Sequence, residues 1–365
     1  MVKKMNNAKI GLFIPSMKGG GAEKVFVNLA NYLISENFEV CLILKDKIGP
    51  NLNFLDDRVK VIPLDSTKML YAPFLLARTL KENKISHLMS TVRGANIIVG
   101  LSRFLYNEYN WTLREANTFT NAKHNNGYKS RLIDLLCKLI YPKAEKILAN
   151  SPDTKNDILF LNRRINTNSV KVLPNPVLSD IPKLNKKDSK NVKQIIAIGR
   201  LELQKDYELM LQSVYHLKAI YSNFKLKIYG EGSFESKLKA LASDLNIESH
   251  IEFCGYSDKV KLDLLNSDLF VLTSKWEGFG NVLVEALSCG IPIVSSLCPG
   301  GPSYILKESD YIKLIDSRDP ELYSSAYKEM ICNGITYCER VKLQRMSFDY
   351  LTSNVCKNYL DLILK

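Results

Sequence analysis

The chain has 365 residues, 46% hydrophobic and 24% charged, the balance of a globular protein with room for two α/β domains. No apolar run reaches the roughly 18 residues of a membrane span, and the basic start (MVKKMNNAKIGLFIPSM) runs into a first strand rather than a signal peptide. Eight scattered cysteines without Cys-x-x-Cys or a Cys/His cluster indicate neither a disulfide framework nor a zinc site, and point to reduced thiols in a cytoplasmic protein.

The net charge of +12 lies wholly in residues 1–175, which hold 26 Lys and Arg against 14 Asp and Glu. Such a half suits nucleic acid, an anionic membrane surface or an anionic substrate. No nucleic-acid-binding module or aromatic-basic interleaving accompanies it.

Residues 9–15 predict a buried strand, followed by Gly19-Gly20-Gly21 and an amphipathic helix over about 22–35 with Val25, Leu29, Tyr32 and Leu33 on one face. The glycine loop suits close approach to a phosphate, but its spacing is neither G-x-G-x-x-G nor a P-loop. Further strands are predicted at 40–44, 59–64, 85–90, 111–114, 146–150 and 170–173, mostly with helical stretches between them. That alternation implies an α/β fold with a parallel sheet covered on both faces.

Loops at the C-terminal ends of parallel strands carry ligands in such folds. Arg93 follows one such strand, and Arg114-Glu115-Ala116-Asn117 follows the next and opens a polar run containing His124. Arg114, Glu115 and His124 are therefore candidate catalytic or acceptor contacts. Lys129, Arg131 and Lys138 share a candidate helix with Leu132, Leu135, Leu136 and Leu139, a stripe that is either the helix's core face or a membrane contact.

Leu173-Pro174-Asn175-Pro176-Val177 closes the first half, and a polar run to Lys193 reads as a linker. A strand at 194–198 leads into Gly199-Arg200-Leu201-Glu202-Leu203-Gln204-Lys205, whose two cations five residues apart can both reach a diphosphate. Another strand, 224–229, ends in Gly230-Glu231-Gly232, and a third, 251–254, in Gly255-Tyr256.

Trp276-Glu277-Gly278-Phe279-Gly280 then reads as a loop, Asn281 as an N-cap, and 282–288 as a short helix stopped by Gly290 and Pro292 before a strand at 293–295. Glu277 and Glu285 thus flank a helix N-terminus, whose free N–H groups and dipole attract an anion. A carboxylate, an anion site and a second carboxylate suit a ligand built as polyol, diphosphate, polyol. Pro299-Gly300-Gly301-Pro302 forms a rigid turn, and residues 339–365 show helical apolar spacing.

The Glu-Gly-Phe-Gly start with Glu, seven residues, Glu resembles the signature of glycosyltransferase family 4, retaining enzymes of the GT-B fold. The Gly-Gly-Ala segment, Gly-Arg-Leu…Lys and Pro-Gly-Gly-Pro match in order along most of the chain. The resemblance implies two Rossmann-like domains facing across a cleft: residues 1–178 for the acceptor, a linker at 179–193, residues 194–340 for the nucleotide sugar, and a helix at 341–365 crossing back to the first domain.

It assigns donor binding to Gly20, Gly21, Arg200, Lys205, Gly230, Tyr256, Glu277, Gly278, Phe279, Gly280, Asn281, Val282 and Glu285. Catalysis falls to Glu277, Arg200 and Lys205, with Arg114, Glu115 and His124 on the acceptor side. No Asp-x-Asp occurs, so neither a metal nor another cofactor is expected.

The triple glycine and Pro-Gly-Gly-Pro look most like bacterial enzymes that extend capsule, O-antigen or related polysaccharides. The implied reaction moves a hexose or N-acetylhexosamine from a UDP-sugar to a saccharide, lipid-diphosphate-linked, at the cytoplasmic face of an anionic membrane. A sugar-nucleotide hydrolase or epimerase is the nearer rival. A nicotinamide-dependent oxidoreductase would need the dinucleotide fingerprint that the Gly19 loop lacks.

Overall fold

A computed structural model of the chain describes residues 8–18, 20–65, 69–117, 128–185, 192–257 and 260–365. Two units emerge, residues 1–179 with 350–365, and residues 180–349.

In the first unit, β1 (Lys9–Ile14), β2 (Glu39–Leu44), β3 (Lys60–Pro63), β4 (His87–Thr91), β5 (Asn110–Glu115), β6 (Lys146–Ala149) and β7 (Val170–Val172) form a parallel sheet, ordered β3-β2-β1-β4-β5-β6-β7. Parallel neighbours need crossovers, supplied here by α1 (Gly21–Ser35), α2 (Ala72–Glu82), α3 (Arg93–Ser102), α4 (Tyr128–Ile140) and α5 (Pro152–Leu161). Covered on both faces, the strands read as apolar runs. Ile10, Leu12 and Ile14 of β1 join a cluster with Val25 and Leu29 of α1, while Phe13 points to the opposite cluster with Leu88 and Trp111.

The second unit repeats the plan with β8 (Lys193–Ile198), β9 (Phe224–Tyr229), β10 (Ile251–Gly255), β11 (Leu269–Leu272), β12 (Ile293–Ser296) and β13 (Ile312–Ile315), ordered β10-β9-β8-β11-β12-β13 and all parallel. Its helices are α6 (Tyr207–Ile220), α7 (Glu235–Asp244), α8 (Val260–Asn266), α9 (Asn281–Ser288), α10 (Pro302–Ile305), α11 (Pro320–Asn333) and α12 (Tyr337–Arg345). Tyr323, Tyr327 and Met330 of α11 pack with Leu211 and Val214 of α6 over β8 and β9.

The predicted single return segment at 341–365 is corrected. Thr336 and Glu339 form a capping box that starts α12, and this helix stays in the second unit. Its buried Arg340 donates to the carbonyls of Cys289 (3.0 Å) and Gly290 (3.1 Å) at the end of α9, and to Asn185 O (2.8 Å). A cation there also meets the negative end of the α9 dipole. Gln344 Nε2 adds bonds to Ser288 O (2.6 Å) and Pro182 O (2.8 Å), so the described part of the linker is tied down as well.

The return begins at Tyr350, whose carbonyl accepts from Val177 N (3.1 Å) and Leu178 N (3.2 Å). The last helix, α13 (Thr352–Leu364), then buries Val355, Cys356, Tyr359 and Ile363 in the cluster that holds Val25 and Leu29. Among the described residues, no helix is long and apolar enough to cross a membrane.

Arg340 generates a stability prediction. Losing a charged donor to several buried carbonyls costs about 3 kcal/mol, and a unit of this size shifts roughly 2–4 °C per kcal/mol. Arg340→Met should lower the calorimetric melting temperature of the second unit by roughly 6–12 °C, with Arg340→Lys falling between. A shift within 2 °C or so of zero would show that these bonds hold nothing together.

Candidate active site

The strand order of the second unit reverses between β8 and β11, and in such sheets ligands lie beyond the carboxyl ends of the strands at that point. Two loops meet there. One follows β8, runs through the short turn Leu203–Lys205, and ends at Asp206, a non-glycine residue in the left-handed region at φ +49°. The other follows β11 and carries Glu277 into α9.

Lys205 Nζ donates to Glu277 Oε1 at 2.6 Å, and Ser274 Oγ donates to the same oxygen at 2.6 Å. Both charged side chains are largely withdrawn from solvent, 13% exposed for Lys205 and 6% for Glu277. Gln204 Nε2 donates to Trp276 O at 2.9 Å and Lys275 N to Gln204 O at 2.8 Å, so the loops are stitched by backbone as well.

Glycine is required where other loops press on this one. A Cβ at Gly230 (φ +139°) would stand 1.9 Å from Gly199 O, and one at Gly300 (φ +120°) 2.0 Å from Glu277 O. The Pro299-Gly300-Gly301-Pro302 turn therefore lies directly on the Glu277 backbone, with Glu277 N donating to Pro299 O at 3.0 Å.

The N-cap of α9 is Gly280, at φ +94°, which brings no side chain of its own to cap the first turn. Asn281, expected as the cap, is the first helical residue instead, because the left-handed turn at Gly280 starts the helix one position earlier. Phe279 is buried edge-on against Tyr304, centroids 6.4 Å apart, so it offers backbone rather than its ring. Gly278, Val282 and Glu285 are partly exposed, with Glu285 on the second turn. Arg200 and Tyr256 are exposed on the loops after β8 and β10.

Burial, with the nearby Glu277 charge adding, pushes the Cys298 thiol up to about 12 and raises the Tyr207 phenol further. A thiol so raised is no nucleophile at neutral pH.

In the first unit, Gly20 precedes α1 in an extended conformation (φ 173°) and Gly21 is the first residue of that helix. Gly19 and His124 lie outside the described residues. Arg114 and Glu115 are not on an open loop, as the polar run after them implied. They are the last two residues of β5, each 1% exposed.

Arg114 donates to Asn175 Oδ1 (2.5 Å), Thr91 Oγ1 (2.9 Å) and Tyr359 OH (3.3 Å), which fastens α13 to the sheet. Glu115 accepts from Tyr141 OH (2.6 Å) and from the backbone N–H groups of Ala116 (3.1 Å) and Asn117 (3.2 Å), with Arg93 Nε 3.6 Å away. Burial and then the Glu115 charge raise the Tyr141 phenol well above its ordinary value. Alternation places one of two adjacent strand residues on each face, and here both faces are covered.

Sequence reasoning missed Thr273, Ser274 and Arg318, which surround the Lys205–Glu277 pair. Small hydroxyl residues at a strand end carry no spacing signal, and Arg318 approaches from a different loop.

Residues 180–343 match the family model described as glycosyl transferases group 1. The chain is 28% identical over 361 residues to the N-acetylgalactosamine-N,N'-diacetylbacillosaminyl-diphospho-undecaprenol 4-alpha-N-acetylgalactosaminyltransferase of Campylobacter jejuni, covering 93% of this chain and 96% of the relative. Among solved structures, it resembles the apo lipopolysaccharide outer core galactosyltransferase WaaB (TM-score 0.75, 20% identity, 98% of this chain and 99% of that one). HepE of Anabaena, solved with UDP and glucose, is similar too (TM-score 0.75, 16% identity, 98% and 100% covered). The group 1 match thus lies across the second unit, and the two doubly wound parallel sheets give the chain the GT-B fold of these glycosyltransferase neighbours.

Proposed function

We propose that the chain is a retaining, metal-independent glycosyltransferase that moves a hexose or N-acetylhexosamine from a UDP-sugar to a lipid-diphosphate-linked saccharide in bacterial surface-polysaccharide synthesis. The observation that carries the reading is the buried Lys205–Glu277 pair at the β8–β11 reversal, on the loop that leads into the N-terminus of α9.

Lys205 uses one ammonium hydrogen on Glu277, which leaves two for diphosphate oxygens. Arg200 adds a second cation, and the first-turn N–H groups of α9 a third favourable pole. Together they stabilise the negative charge that grows on the departing diphosphate. The chain contains no Asp-x-Asp to anchor a metal for that task.

Both hydrogen bonds to Glu277 fall on Oε1. We assign Oε2 to the donor sugar hydroxyls, with backbone N–H groups from Phe279 to Val282. Glu285 accepts from the ribose hydroxyls, and Tyr256 lies against the base. The acceptor oxygen bonds to the anomeric carbon as the carbon–oxygen bond to the diphosphate breaks on the same face, and its proton passes to the leaving group. That front-side step rests on the resemblance to family 4.

The acceptor reading draws on the diphospho-undecaprenol saccharide in the Campylobacter relative's name, and UDP on its presence in HepE. A membrane-facing surface on the first unit fits both. On α4, Cys137 and Ile140 are buried and Leu136 packs on the core, whereas Leu132, Leu135 and Leu139 are 57%, 53% and 58% exposed beside exposed Arg131 and Lys138. Asn162 Nδ2 bonds Lys138 O at 2.5 Å, which brings the end of α5, with its exposed Phe160, alongside. Such an apolar stripe with a basic edge suits the headgroup region of an anionic bilayer. The enzyme would then work peripherally at the cytoplasmic face.

A hydrolase or epimerase acting on the same donor is the rival, and product analysis separates them. Glu285→Ala removes a charge-assisted acceptor, a loss of about 1.5–3 kcal/mol. Calorimetric UDP affinity should drop roughly ten- to a hundredfold with the fold intact, and unchanged affinity would remove Glu285 from the site.

Transfer should continue in excess EDTA and fall by orders of magnitude in Lys205→Ala or Arg200→Ala. Chelator-sensitive activity restored by manganese would reject the cationic arrangement. The chain should sediment with anionic vesicles at low salt and leave neutral ones in solution, and Lys138→Ala should weaken that binding about fivefold. Equal partitioning onto both lipids, or onto neither, would end the membrane assignment.

A further inference from the structure

Arg318 lies between β13 and α11, where Asp319 caps α11 by accepting from Glu321 N at 2.9 Å and Tyr323 OH holds Ser317 O at 3.1 Å. From that anchored stretch its guanidinium reaches across to the loop after β11. Nη1 donates to Thr273 O at 2.6 Å and Nη2 to Ser274 O at 2.8 Å. Ser296 Oγ also donates to Ser274 O, at 2.7 Å.

The two residues gripped by their carbonyls each support one member of the Lys205–Glu277 pair. Thr273 Oγ1 donates to Lys205 O (3.1 Å) and to Asp206 O (3.0 Å), and Ser274 Oγ donates to Glu277 Oε1 (2.6 Å). The Asp206 carboxylate stands 3.5 Å from Arg318 and 3.7 Å from Lys275, so the left-handed turn that follows Lys205 is held by its side chain too. One guanidinium thus joins the loops after β8, β11 and β13.

We infer that Arg318 is a positioning residue for the donor site: it fixes the backbone from which Ser274 and Thr273 set the geometry of Glu277 and Lys205, without touching the substrate itself. This rests on the reading of that pair as the donor site. A guanidinium suits the task because its planar fork offers two parallel N–H groups to two successive carbonyls, whereas a lysine ammonium offers one point contact. Small displacements of such a pair are costly, since a misplacement of about 1 Å can lower turnover by about a hundredfold.

The chain's two tryptophans make the test direct. Trp111 is buried in the first unit, and Trp276 precedes Glu277. In the full chain labelled with 5-fluorotryptophan, assigned through Trp111→Phe, Arg318→Ala should shift or broaden the Trp276 fluorine resonance and leave that of Trp111 in place. Calorimetric titration with UDP should show about tenfold weaker binding in Arg318→Ala, and Arg318→Lys should recover part of it.

An Arg318→Ala protein with the wild-type Trp276 resonance and wild-type UDP affinity overturns the inference. So does one in which both resonances collapse with the thermal transition, which would make Arg318 a general stabiliser. If Lys205→Ala leaves UDP affinity unchanged, or the wild-type chain does not bind UDP, the donor-site reading fails, and the Trp276 resonance alone decides the role of Arg318.

Discussion

A lysine and a glutamate withdrawn from water and bonded to each other at 2.6 Å set the terms for the second unit. Burying such a pair is a poor way to stabilise a fold, because desolvation offsets most of the attraction and apolar replacements often do as well. Its surroundings make sense as a means of keeping the pair in place. The short turn at Leu203–Lys205, the left-handed Asp206, the hydroxyls of Thr273 and Ser274 and the close-packed glycine turn at 299–302 all converge on it. The pair also stands at the strand-order reversal, beyond the carboxyl ends of the strands, where such sheets hold their ligands.

Guanidinium groups recur as the fasteners that make this possible. Arg340 closes the end of α9 and ties the linker, Arg318 binds three loops at the C-terminal edge of the second sheet, and Arg114 secures α13 to the first sheet through Tyr359. Each donates several charge-assisted bonds to groups that burial would otherwise leave unpaired. The same chemistry explains why Arg114 looked catalytic in the sequence. A basic residue after a strand reads alike whether it meets a substrate or satisfies the interior.

Much of the candidate site's geometry was legible because its constraints are local. The glycines at 230 and 300 stand where a Cβ would strike a backbone oxygen, and Lys205 and Glu277 sit on the loops that follow β8 and β11. What escaped was non-local or short. β11 is a continuous apolar run, Leu269–Leu272, which periodicity alone cannot tell from a buried helix segment, and β13 is equally short. The break between α12 and α13 was hidden because apolar spacing continues across it, and only the capping box and the bonds of Arg340 show which unit α12 serves. The Leu132, Leu135 and Leu139 stripe was ambiguous in the sequence, and its exposure shows that the helix's core face is another one.

The central claim is that the Lys205–Glu277 pair and the first turn of α9 hold a nucleotide diphosphate. Diffraction from crystals grown with UDP tests it most directly. The account predicts diphosphate oxygens within hydrogen-bonding reach of Lys205 Nζ and the first backbone N–H groups of α9, with the ribose against Glu285. UDP bound elsewhere on the chain, with the pair undisturbed and the first turn of α9 facing only solvent, would contradict it.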